Sequence, residues 1–416
     1  MASVSVRRND ERTTPLHGRA APRVATLLGA ACMLLASMAS GEDMPATAPT
    51  TTPEQIALPG SPFGVVASPD GRFAFASLSG ATQGIAVVER GSAGTQLLHI
   101  IPTAGDAFGL ALSGDGGLLL AAVQPEGVAF VDARKAEAGA ADAVLGYVSL
   151  GGAAGTIEVR FSSDERLVFA SEEGGAAVAV IDVVRAFTTG FDVSSVSGTI
   201  PVDQFPVGMA VSPDGRYLYV TNEEASPGSP GYDATACTLG TETGPEGTLV
   251  VVDVRRALFD PSTSVVSRAY AGCSPVRVAL SFGGEVAWVS QRAADTLGAF
   301  STDRLLRDPE HALISATPVG TAPVGVQPFA GGRLIAVANS NRFATSPGTV
   351  SIVDATLALF DRPAVVETID VDVFPREWAL SPSGDELYLT EFGSRILDVF
   401  DVRGLVRGIR PGAATP

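Results

Sequence analysis

Basic charge is scarce in this chain. Among 416 residues, 28 are Lys or Arg against 45 Asp or Glu, for a formal net charge of −17, and Lys135 is the only lysine. With no basic cluster in the body of the chain, nucleic acid and anionic membrane surfaces are not expected partners. There are 3 histidines, 3 cysteines and 2 tryptophans. No Cys-x-x-Cys-His run is present, so covalent haem is not expected, and neither a Gly-x-Ser-x-Gly elbow nor a P-loop occurs. Charged residues make up only 18%, whereas 46% are hydrophobic, which argues against wholesale disorder and leaves ample material for a core.

Long apolar runs are also lacking, with one exception at residues 24–38 (VATLLGAACMLLASM). It follows Arg7, Arg8, Arg12, Arg19 and Arg23, and Ser37-Met38-Ala39 offers small residues for cleavage. This reads as a secretory signal peptide over residues 1–39. At about 15 residues the run falls short of the ~20 that span a bilayer. An uncleaved anchor and a lipid-modified Cys32 are the competing readings. The mature chain then starts near Ser40, crosses a flexible Pro/Thr/Ala-rich linker over 40–53, and holds no transmembrane segment. The expected location is the periplasm, the cell surface or the medium. Removal of the signal leaves Cys237 and Cys273, a disulfide candidate in an oxidising compartment.

What is abundant is one hairpin. Residues 208–222 (GMAVSPDGRYLYVTN) alternate in twos on either side of Ser-Pro-Asp-Gly, a tight-turn signature. Related copies begin at Gly64, Gly109, Ile157, Gly208, Arg277, Gly325 and Glu377, about every 50 residues, the spacing of propeller blades. Third apolar strands follow at 84–88, 127–131, 177–181, 248–252, 297–300, 349–353 and 396–400. From the second copy on, an Asp or a Ser-Thr-Asp comes next, as at Asp182, Asp253, Asp303, Asp354 and Asp401, and is expected to cap a short helix before a fourth strand. The expected fold is all-β: a seven-bladed β-propeller of four-stranded blades over 54–410. The seventh copy lacks a fourth strand, and residues 55–63 (QIALPGSPF) are expected to supply it and close the ring. An open solenoid is the alternative.

Tyr219-Val220-Thr221-Asn222 after Ser212-Pro213-Asp214-Gly215 resembles the YVTN-repeat β-propellers, bacterial surface and periplasmic proteins similar to the lactonase-like seven-bladed propellers. Residues 250–253 and 350–354 are similar to that family's "VIDT" strand. The resemblance spans roughly residues 55–405. It implies the architecture and an extracytoplasmic setting, and it leaves activity open because the family hosts several.

Loops leaving second strands and loops entering first strands share one end of the ring, here called the upper face. The ligand-binding candidates on it are Glu172, Asn222, Glu223, Arg277, Arg292, Asn341, Arg342, Arg376, Glu377 and Glu391, with Glu126, Glu158 and Glu173 nearby. Carboxylates alternating with arginines around a channel mouth suit a polar or anionic small molecule. The bland alternative is solvated loop charge and ion pairs between blades. An insertion at 225–246 rises from the same face, carries Cys237, and is expected to be bridged to Cys273 as a lid over the channel. His99 falls in an outer strand and His311 in a linker, and Asp70, Asp115, Asp164 and Asp214 sit in hairpin turns. No metal and no cofactor are therefore expected. Two functions are carried forward. One is a binding or scaffold protein for a small molecule, a glycan or an envelope protein. The other is a lactonase-like hydrolase using upper-face Glu and Arg.

Overall fold

The computed structural model describes residues 52–409 apart from 93, 240–241 and 343–344. The expected signal peptide, its cleavage site, Cys32 and most of the linker lie outside the described residues. Seven four-stranded antiparallel sheets follow one another as the blades of a propeller. In blade 1 the strands are Ser61–Ala67, Phe73–Ser79, Gly84–Gly91 and Gly94–Ile101. In blade 7, Pro375–Leu380, Glu386–Glu391 and Ile396–Asp401 are joined by the N-terminal strand Glu54–Ala57, with Ile56 opposite Leu397.

The packing follows from strand alternation. Phe73-Ala-Phe-Ala76 sends its phenylalanines toward blade 2 and its alanines toward blade 7, and no residue of that strand is exposed. Seven buried apolar clusters fill the seven interfaces of the ring. Ile56 and Leu58 belong to the cluster between blades 7 and 1.

The turns hold their shape through local bonds. Ser68 Oγ donates to the Asp70 carboxylate at 2.6 Å, Arg72 N donates to it at 3.0 Å, and Gly71 takes φ +71°. Asp164 and Asp214 repeat this arrangement, and the serine donors hold these carboxyls below the ordinary aspartate range. In blade 3 Glu165 occupies the left-handed position that glycine fills in blade 1.

Short helices follow the third strands of blades 2 to 7, capped by Asp132, Asp182, Asp253, Asp354 and Asp401. In blade 5 the cap is Ser301, which accepts from Arg304 N, and not the expected Asp303. The cap must precede the first helical residue, and Asp303 already stands inside Thr302–Arg307.

The disulfide Cys237–Cys273 is formed, with a Cα–Cα separation of 5.5 Å. Within the insertion, Cys237–Leu239 and Glu242–Gly244 make a small hairpin. The strand Cys237–Leu239 packs beside the turn Arg292–Ala294, which carries Arg292 of the mouth. Tyr270, at the end of the outermost strand of blade 4, donates to Pro230 O, and no described residue of the insertion lines the channel mouth.

Candidate functional site at the upper mouth of the channel

The first strands surround the channel, and each carries a bulge near its upper end. Pairing with the second strand slips between Pro62 and Val65, Thr156 and Val159, Pro275 and Val278, and Pro375 and Trp378. A bulge leaves residues outside the ladder and re-aims their side chains. Here they are Phe63-Gly64, Ile157-Glu158, Val276-Arg277 and Arg376-Glu377. The freed N–H groups of Gly64, Glu158, Arg277 and Glu377 each donate to a second-strand hydroxyl, on Ser77, Ser171, Ser290 and Thr390, at 2.8–3.0 Å. The same local device thus presents chemically different residues from blades 1, 3, 5 and 7.

Arg277 crosses the channel. Its Nε donates to Glu377 at 2.5 Å, its Nη1 to Val207 O at 2.8 Å, and its Nη2 stands 3.6 Å from Glu158. Glu158 also pairs with Arg160, whose Nε donates to Met209 O at 3.2 Å. Burial opposes the charge on Arg277, but Glu377 and Glu158 hold its pKa above the ordinary value. Burial pushes Glu158 up, against the pull of Arg160 and Arg277.

Above this layer lies a cavity of about 140 Å³ lined by Glu173, Glu223, Arg277, Arg292, Arg342 and Arg376, with Ile157, Val207, Val276 and Val324. Glu223 is gripped by Arg292 through two hydrogen bonds of 2.9 and 2.5 Å, and Ser274 steadies both. Arg376 stacks on the Phe63 ring, 3.5 Å from its centroid, and no ion pair involves it among the described residues. Its Nε is buried without a hydrogen-bond partner. Burial, then the neighbouring Arg277, drives its pKa well below the arginine range. Glu173 is pushed up by burial and by Glu223, and Arg342 down by burial and by Arg292. Four arginines and two glutamates line the cavity; Arg277 is met from below by Glu158 and Glu377 and Arg292 by Glu223.

The other candidates lie elsewhere. Asn222 is fully buried inside blade 4, where its Nδ2 donates to Val220 O and Thr248 Oγ1. Asn339 in blade 6 does the same toward Thr349 and Ser351. Glu172 and Glu391 occupy the equivalent last positions of their second strands and are buried. Glu391 lies on the same sheet face as Asp398, and Asp398 accepts from Gln55 of the N-terminal strand at 3.1 Å. Asn341 donates to Ser346 within its own loop, and Glu377 lies in the layer below the cavity. Sequence reasoning missed Phe63, Arg160 and Asp398.

Among the described residues no group of three or more His, Cys, Asp or Glu side chains is placed to hold a metal. No helix among them is long and apolar enough to cross a membrane. No protein-family model matches the chain, and no curated protein matches it in sequence. Among solved structures it is similar to a chain of the hydrazine synthase of Kuenenia stuttgartiensis. The TM-score is 0.63 at 16% identity, over 83% of this chain and 96% of that one. At that identity the likeness concerns the propeller fold alone.

Proposed function

We propose that this chain is an exported propeller of the YVTN-repeat type that binds a small molecule at the upper mouth of its channel. The observation that carries the reading is the cavity in which the Arg376 guanidinium, partly buried and with its Nε wholly so, has no carboxylate partner among the described residues. A partly desolvated charge without a partner is costly, and a polar or anionic group entering the cavity offsets that cost. A volume of about 140 Å³ suits a small molecule better than a glycan or a protein surface. The disulfide supports an oxidising compartment, and the basic, then apolar, N-terminal segment supports export.

Hydrolysis of a lactone is the second reading, and Glu173 favours it as a cavity carboxyl with a raised pKa and no ion pair among the described residues. Glu223 is a poor base, because Arg292 holds both of its oxygens. A thermal-shift screen of small acids, amines, sugars and lactones tests both readings against a variant, Val276→Phe, that fills the cavity. Binding at the mouth predicts compounds that stabilise the wild type and not the variant. A hydrolase predicts lactone turnover lost on filling. Identical responses of the two proteins contradict a mouth site.

A further inference from the structure

Resting on the mouth as the binding site, we infer that its ligand is a small organic carboxylate, with the carboxylate on Arg376 and a short apolar end against Val207, Val276 and Val324. Arg376 is built to receive such a group. Its Cζ lies 3.5 Å from the Phe63 ring centroid, so the guanidinium is held in place beside the ring. The Nε lacks a partner. The neighbouring acids do not serve it: Glu377 is taken by Arg277 and Glu223 by Arg292. Three buried valines, one each from blades 4, 5 and 6, form their own cluster beside it. An inorganic ion has no use for that apolar surface, and a sugar has no charge to offer the guanidinium.

Glu173 faces the same space as a competing negative group. Burial and Glu223 raise its pKa, which lessens its repulsion of an incoming anion. Its position predicts that neutralising it tightens the complex. The carboxylate class therefore leaves a two-sided signature: loss of Arg376 weakens binding and loss of the Glu173 charge strengthens it.

The test uses the purified full chain with its disulfide intact, titrated at low salt with propionate, with propionamide as the uncharged analogue, and with propylammonium and inorganic phosphate. Propionate is expected to bind. Arg376→Met is expected to weaken it at least about tenfold. That variant keeps an apolar contact with Phe63 and is expected to melt no lower than the wild type, since a partly buried guanidinium without an ion-pair partner is removed. Glu173→Gln is expected to tighten propionate. Propionamide binding as tightly as propionate, or phosphate binding more tightly, overturns the carboxylate assignment. So does propionate binding that ignores Arg376→Met. Propionamide or propylammonium binding that responds to mouth substitutions leaves the mouth as the site and removes only the anion. Failure of every probe to respond to either substitution removes both.

Discussion

Asn222 and Glu223 are adjacent, yet one is mortar and the other faces the ligand cavity. In blades 4 and 6 the second-strand residues Asn222 and Asn339 turn into their own blades, where their amides bond third-strand hydroxyls. The residues that follow Glu172, Asn222 and Gln291, namely Glu173, Glu223 and Arg292, reach the mouth. Period-two reading places both on the upper face but does not say which way a strand's final side chain turns. In blade 7 that inward position holds Glu391, whose carboxyl burial and Asp398 push up to about 9, while burial raises Asp398 to about 6. Both folded values exceed the unfolded ones, so the folded chain binds more protons. The pair's contribution is complete below about pH 4 and is lost as pH rises through 6 and then 9. Denaturant melts at pH 5, 7 and 9 are expected to show wild-type stability falling by a few kcal/mol more than that of Glu391→Gln. Parallel pH profiles contradict the assignment.

At the scale of elements, the hairpins, third strands and caps were legible because each has a local cause: alternation, turn chemistry, an oxygen ahead of a helix. The bulges were not, because a slipped register leaves no mark in a strand's composition, and they decide that Arg277, Arg376 and Glu377 enter the channel. Nor was the course of the insertion, which depends on where Tyr270 stands once the blade has folded. The strand Glu54–Ala57 covers the edge of Ile396–Asp401 and, with Leu58 just beyond it, supplies Ile56 and Leu58 to an inter-blade cluster. Burial of two such side chains is worth about 3–6 kcal/mol. A chain starting at residue 59 is expected to melt at a lower temperature and to self-associate through the bared edge, read by calorimetry and size-exclusion chromatography. An unchanged melting point and a monomeric profile contradict that role for the strand.

Over the whole molecule, charge is divided by place. The surface is acidic, whereas the channel gathers arginine at its mouth and ties blades 3, 5 and 7 across the axis through Arg277. Net charge alone pointed away from anionic partners; the ring concentrates a few arginines where low dielectric strengthens their field. The claim that this mouth receives an anion is tested most directly by an anomalous-difference map from crystals grown in bromide. The account predicts a bromide in the cavity within hydrogen-bond reach of the Arg376 guanidinium. Bromide bound only at exposed arginines, with none at Arg376, contradicts it.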